Sequence, residues 1–435
     1  MATEARPAGD TVSVADVEAA AEAIAPLVRP TPVLPAGEVS RRCGATVTLK
    51  AENLQRGGSF KIRGAANRTR RLGDRELARG VVAASAGNHA QAVAIAARSR
   101  GARADLFMPA DAPLAKVDAV RGYGGEVHFV EGSYDDAGAA AAEHAERTGR
   151  ALIHPFDDAD VVAGQGTIGL EIAAGAPATR MIVVAVGGGA LAAGLAIAAK
   201  ARLPGLRVVG VQSEACAPYP PSLEARRPLA AATQSAGPGR DAGVPAARAG
   251  EPVSTICDGI AVKRPGELTL PLVAEHVDEV VTVSDDDVAQ TMVLLLERSK
   301  LVVEPAGAAS VAALLAGKVD PPAGGEVCAV LSGGNVDAGR LAECIRLGET
   351  AAGRRLVFAT VVPDRPGALA DLLGAVASAG ANVIDVAHIR DGIDLHVRET
   401  AVRLVLQTDG REHGAAILEA VRERGFAARL EERAS

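Results

Sequence analysis

The chain has 435 residues, 48% of them apolar and 23% charged, which excludes a disordered chain and leaves ample material for buried cores. At roughly 150 residues per folding unit, two or three units are expected. A net charge of −7, an aromatic share of 2% and the lack of Trp exclude a nucleic-acid stacking surface and leave the core to Ala, Val, Leu and Ile.

In chain order, the start Met1-Ala2-Thr3-Glu4 lacks the apolar run of a secretion signal. Cys43, Cys216, Cys257, Cys328 and Cys344 show no paired spacing, so neither a zinc site nor a disulfide framework is expected. A reducing, cytoplasmic setting fits both observations. From about residue 46 to 346, short β-branched runs alternate with Ala-rich stretches, the pattern of βα units around a parallel sheet, so the class is α/β.

Ser59-Phe60-Lys61-Ile62-Arg63-Gly64-Ala65 frames a lysine with small residues, although most lysines are solvated surface charges. A strand at Val81 to Ala84 runs into Ser85-Ala86-Gly87-Asn88-His89-Ala90-Gln91 and a helix from about Asn88. Such a strand end is where open α/β sheets bind anionic ligands at helix amides. As alternatives, Asn88 serves as a plain helix N-cap and His89 as a packing residue. Further strands are expected at Ala104 to Met108 and Glu126 to Val130.

Met181 to Ala199 is uncharged, but three glycines divide it, so it reads as a strand to Val186 and a helix from Leu191 rather than a membrane span. Gly187-Gly188-Gly189-Ala190-Leu191 offers backbone amides to a phosphate without side-chain obstruction. The same loop meets a loose dinucleotide fingerprint through Gly187, Gly189 and Ala192, with Glu214 after the strand Arg207 to Val211 as a ribose acceptor, so a nicotinamide oxidoreductase competes.

From Pro218 to Pro252 the periodicity fails, and the stretch reads as a surface excursion or, less simply, a linker. Strands follow at Glu279 to Val283 and Val327 to Leu331, the latter ending in Ser332-Gly333-Gly334-Asn335, either a hydroxyl donor at a strand end or a plain turn. After Glu349 to Gly353 a smaller unit reads βαββαβ. Its strands are Leu356 to Val362, Val383 to Ile389, Ala401 to Gln407 and Ala427 to Leu430, with helices ending near Ala379 and spanning His413 to Arg424.

These clusters, with Glu52-Asn53-Leu54-Gln55, His154-Pro155-Phe156-Asp157-Asp158, Gly164-Gln165-Gly166-Thr167, the Asp258 to Gly266 run and Glu304-Pro305-Ala306-Gly307-Ala308, resemble the fold type II pyridoxal-phosphate enzymes, specifically the threonine ammonia-lyase family. The resemblance implies a catalytic domain of two parallel-sheet subdomains over residues 12–348. It further implies that Lys61 carries pyridoxal 5'-phosphate as a Schiff base and later acts as general base. Phe60, Gly259 and Glu304 lie at the cofactor, Asn88 bonds its ring hydroxyl, Gly187 to Leu191 hold its phosphate, and Ser332 meets the pyridine nitrogen. The turn Ser85, Ala86, Gly87, Asn88 and His89 receives the substrate carboxylate.

The implied reaction dehydrates and deaminates L-threonine, feeding isoleucine synthesis. L-serine is the near alternative, since one methyl discriminates by only about 1 to 3 kcal/mol. Ala86 stands where serine racemases carry a second serine, which disfavours racemisation. Gly57 replaces a usual threonine, Ala190 replaces the fourth glycine of the loop, and Gln212 replaces the glutamate of metal-activated relatives, so no divalent cation is expected.

Residues 354–435 resemble an ACT domain, with Asp364, Arg365, Gly367, Ala368 and Leu369 at the strand-to-helix turn as an effector site for a small amino acid; a dimerisation module is the alternative. A homotetramer is implied by resemblance, and an inactive amino-acid sensor is a third reading of the whole.

Overall fold

The computed structural model describes residues 11–231, 255–390 and 398–430, and the chain forms two compact units, Met1–Leu341 and Ala342–Ser435. The division falls inside the helix Ala338–Ala351, ahead of the Glu349 to Gly353 boundary read from the sequence.

The first unit carries two sheets. In the larger, the strands lie in the order Val33–Pro35, Thr46–Ala51, Glu326–Leu331, Thr179–Ala185, Arg207–Ser213 and Glu279–Val283, parallel except for the first. The smaller is fully parallel in the order Glu126–Val130, Ala104–Pro109, Val81–Ala84 and Ala151–Leu152. Strands covered by helices on both faces read as continuous apolar runs, and Met181 to Ala185 is buried along its whole length. Some helices begin where short polar residues close capping boxes, as Ser133 does with Asp136 and Ser284 with Asp287.

With so few aromatic residues, the core is filled by close backbone approach. Helices Ala159–Gly175 and Ala190–Arg202 meet through Gly166, Gly169 and Gly194. A β-carbon on Gly194 would lie 2.2 Å from Val162 O, and one on Gly169 would lie 2.5 Å from Leu195 O. The stretch from Met181 is a strand followed by such a helix, and among the described residues no helix is long and apolar enough to cross a membrane.

Of the Pro218 to Pro252 excursion, the described part holds the helix Tyr219–Ala225, and its Tyr219 is fully buried; residues 232–252 lie outside the described residues. The second unit contains an antiparallel sheet in the order Asn382–Ile389, Glu399–Gln407, Arg355–Pro363 and Arg429–Leu430. Helices Ala368–Ser378 and Arg411–Glu423 cover it around a core that includes Phe358, Leu372, Leu404 and Ile417.

Candidate active site

Lys61 is the first residue of the helix Lys61–Arg71. Its approach loop is fastened to the end of strand Glu326–Leu331. Phe60 N donates to Ser332 O at 3.1 Å, Gly334 N donates to Gly58 O at 2.9 Å, and Ser59 and Gly333 form a bridge. Gly57, two residues before the bridge, has φ +76°, a left-handed conformation that threonine would strain, which accounts for the glycine there. The Lys61 ammonium donates to Pro155 O at 2.9 Å beside the Phe60 ring. Burial lowers the pKa of the amine from 10.5 to about 8, against the pull of the Glu304 carboxylate.

Strand Val81–Ala84 delivers the Ser85 turn, in which Gly87 N donates to Ser85 Oγ at 3.1 Å. Gly87 occupies the N-cap and Asn88 is the first helical residue, so the N-cap alternative for Asn88 does not hold. Asn88 Nδ2 donates to Glu304 Oε1 at 2.8 Å, while its Oδ1 accepts from Asn335 Nδ2 at 2.8 Å. Asn335 Nδ2 also donates to Gly57 O at 2.6 Å, tying the turn to the lysine loop. An amide nitrogen carries two protons, so Asn88 keeps one for a ligand. His89 is buried, and its Nε2 donates to Ile153 O at 2.8 Å. Burial, Lys61 and His154 push its pKa down to about 3, so His89 is neutral with its ring turned to Ile153 O; the segment offers an anion its amides and the Ser85 hydroxyl.

Glu304 caps the helix Pro305–Leu315 and is 6% exposed. Its pKa is raised to about 7 by burial and by Asp258, with Asn88, Lys116 and Lys61 acting against the rise. Gly259 adjoins it: a β-carbon there would lie 3.0 Å from Ala306 Cβ and 3.9 Å from Glu304 Oε1. Ser332 is buried beside Ala306, with Oγ 3.5 Å from Ala306 O, a weak contact.

The glycine loop follows strand Thr179–Ala185. Gly189 turns the chain with φ +94° into the helix Ala190–Arg202. The amides of Gly188, Gly189, Ala190 and Leu191 have no partner among the described residues, and the first to find one is Ala193, which donates to Gly189 O. Tyr219 Oη and Thr269 Oγ1 donate to Gly188 O at 3.1 and 2.7 Å and fix the loop from behind. A β-carbon on Gly188 would lie 2.0 Å from the Phe156 ring, and one on Gly189 would lie 2.0 Å from Tyr219 Oη. A walled cradle of free amides and a desolvated lysine amine fit a phosphorylated aldehyde such as pyridoxal 5'-phosphate.

Pro155, Phe156, Tyr219, Thr269 and Asn335 were given no role by sequence reasoning. The His154 to Asp158 and Ser332 to Asn335 runs were visible motifs, whereas nothing in the pattern pointed to Tyr219 or Thr269. Gln212 is fully buried and its amide is spent on Val186 O and Tyr219 N. Glu214, the ribose acceptor of the oxidoreductase reading, instead faces Lys318 at 3.7 Å. In the second unit, Asp364 Oδ1 accepts from Arg390 at 3.0 Å, Gly367 turns the chain with φ +93°, and Ala368 is buried.

The family described as pyridoxal-phosphate dependent enzyme matches residues 24–333, and the ACT domain family matches residues 356–423. The chain is 41% identical over 419 residues to L-threonine ammonia-lyase of Thermotoga maritima, covering 96% of this chain and 99% of the relative. Among solved structures, a T.th. threonine deaminase superimposes with a TM-score of 0.66 at 40% identity, covering 75% of this chain and 99% of that one. Maize serine racemase gives a TM-score of 0.69 at 32% identity, covering 78% and 98%. These matches leave the nicotinamide reading of the glycine loop without support. The chain belongs to the pyridoxal-phosphate dependent enzymes, within the L-threonine ammonia-lyase family, and carries an ACT domain after its catalytic unit.

Proposed function

We propose that the chain converts L-threonine to 2-oxobutanoate and ammonia. The observation that carries this reading is the convergence, at neighbouring strand ends of a chain from this family, of the Lys61 amine, the Asn88 amide and the glycine cradle. Pyridoxal 5'-phosphate, when bound, supplies the electron sink that makes the Cα proton of an amino acid removable. Lys61 would hold it covalently, the amides from Gly187 to Leu191 its phosphate, Asn88 its ring hydroxyl and Ser332 its pyridine nitrogen, with Phe60, Gly259 and Glu304 bordering the ring.

The chain's own groups then divide the work. Once the substrate's own amine has taken its place on the aldehyde, the freed Lys61 amine, with a pKa of about 8, would be partly neutral near physiological pH and accept the Cα proton without a large energetic cost. The amides of the Ser85 to His89 turn receive the substrate carboxylate at a helix N-terminus. Lys116 lies beside the turn, where a β-carbon on Gly87 would be 3.8 Å from its Nζ, and it is paired with Asp258 at 2.9 Å. Ser332 offers a neutral hydroxyl where a carboxylate would stabilise a full charge, which favours prompt loss of the β-hydroxyl over transamination. Ala86 has no proton to give the opposite face, which disfavours racemisation.

The finer assignments belong to the same proposal. A small amino acid, isoleucine first, binds at Asp364, Arg365, Gly367, Ala368 and Leu369 and alters turnover. The enzyme is a cytoplasmic homotetramer serving isoleucine synthesis, with a catalytic domain over residues 12–348 and a regulatory one over residues 354–435.

The test is a coupled assay of the purified holoenzyme that distinguishes 2-oxobutanoate from pyruvate. A higher kcat/KM on L-threonine is expected, and the reverse order would make the enzyme a serine dehydratase. Lys61→Ala is expected to abolish turnover with the fold intact, and borohydride is expected to fix the cofactor to Lys61 in the wild type. Removing the residues after Gly353 is expected to abolish the response to isoleucine.

A further inference from the structure

A cluster of titratable side chains lies on one face of the neighbouring strands Ala104–Pro109 and Glu126–Val130, where Asp105 pairs with Glu126 and Phe107 with His128. At its centre Asp105 is 2% exposed. Its Oδ2 is held by Arg150 and by His144 Nε2, the latter at 2.9 Å. Arg147 donates to His144 Nδ1 at 3.0 Å, and a guanidinium cannot accept, so Nδ1 is bare and the imidazole proton sits on Nε2, facing Asp105. That carboxylate oxygen is therefore satisfied.

Asp105 Oδ1 is not. It faces His128 Nε2 at 3.7 Å, beyond hydrogen-bond reach, and neither atom has a hydrogen-bond partner among the described residues. The His128 ring is held in this direction by stacking on Phe107, with centroids 4.9 Å apart and planes 18° apart. One ligand atom from each of Asp105, Glu126 and His128 lies within 4.8 Å of the other two.

We propose that Asp105, Glu126 and His128 bind a divalent transition-metal ion of the zinc class. One ion with bonds of about 2.0 to 2.2 Å to nitrogen and oxygen spans the gap between Oδ1 and Nε2. A buried carboxylate oxygen facing an imidazole nitrogen, neither with a hydrogen-bond partner among the described residues, leaves room for a small cation between them; a proton on Nε2 or a single water would fill the same gap, and the metal titration separates these outcomes. The imidazole selects zinc-like ions over magnesium or calcium, which take oxygen donors.

His144 and Arg150 act as the outer shell that orients the Asp105 carboxylate. Glu126 pairs with Arg103 at 2.6 Å, but both side chains are more than half exposed, so solvent screens the pair and the metal displaces Arg103 readily. The expectation of no metal rests on Gln212 and on cysteines without paired spacing; the proposed site departs from that expectation and is assembled from three residues whose spacing carries no metal signature.

The test uses the full-length holoenzyme stripped of metal by chelation, titrated with Zn2+ or Mg2+, with retained metal measured per chain after desalting and unfolding followed by heating. Wild type is expected to retain one zinc ion per chain and to melt at a higher temperature with Zn2+ but not with Mg2+. His128→Ala and Glu126→Gln are expected to lose that ion and the thermal response. His144→Ala is expected to weaken zinc binding by about ten-fold, as loss of an outer-shell partner does. The His128 side chain is 34% exposed, so its truncation leaves the fold intact where Asp105→Asn would strand Arg150. Equal zinc retention by wild type and His128→Ala, or none by wild type, overturns the proposal.

Discussion

Asn88 Nδ2 donates to Glu304 Oε1 across 2.8 Å of space and 216 residues of sequence, and Asn335 locks the other end of the same amide. The orientation of Asn88 is thus set by two residues from elements that meet only in the folded unit.

Removing Asn335 frees that amide and the Gly57 carbonyl together. At about 1 to 1.5 kcal/mol for the loss of a neutral hydrogen bond, Asn335→Ala is expected to lower kcat by roughly ten-fold while secondary structure stays unchanged. Steady-state kinetics with circular dichroism checks this; an unaltered kcat would show that the lock does no catalytic positioning.

Glu304, with a folded pKa raised from 4.5 to about 7, binds its proton more tightly folded than unfolded. Below 4.5 the group is neutral in both states and carries no penalty. Between 4.5 and 7 the unfolded chain ionises first and stability is lost, and above 7 the loss is complete. Glu304→Gln removes this penalty, so denaturant midpoints of the variant relative to wild type are expected to rise between pH 5 and 8, by up to about 3 kcal/mol in free energy. A constant difference over that range would contradict the burial argument.

Covalent capture of an aldehyde needs the neutral form of the Lys61 amine, whose pKa burial lowers to about 8. The rate of pyridoxal 5'-phosphate uptake by the cofactor-free enzyme is therefore expected to climb with pH and reach half its maximum near 8. Stopped-flow absorbance measures it, and a half-maximum near the ordinary lysine value would refute desolvation of the amine.

The glycine cradle has no room for a side chain at Gly188, where a β-carbon would lie 2.0 Å from the Phe156 ring. Gly188→Ala is expected to weaken cofactor binding by at least about ten-fold, the effect of misplacing one or two phosphate hydrogen bonds. Absorption titration of the variant provides the check.

Beneath the site, Arg63 and Glu52 are both fully buried and joined by two hydrogen bonds of 2.8 Å, with Glu171 and Lys50 extending the network. Arg63→Leu leaves Glu52 without its guanidinium partner and is expected to cost about 3 to 5 kcal/mol, read from denaturant midpoints. The double variant Arg63→Leu with Glu52→Leu is expected to recover part of that loss, because no uncompensated charge remains there.

The sequence by itself determined the βα alternation, the glycine loop, the lysine motif and the βαββαβ order of the second unit, because each is local: side-chain periodicity and strand-end residues are read within a dozen neighbours. The strand Glu126–Val130 was legible to the residue for this reason. What only the tertiary structure decided are relations between distant segments. These are the Asn88, Glu304 and Asn335 lock, the Pro155 carbonyl under the Lys61 amine, the inward turn of His89, and the facing of Asp105 and His128 across two strands. Burial sets the pKa values of Lys61 and Glu304, and burial is a property of everything packed around a group, which no local run of residues encodes.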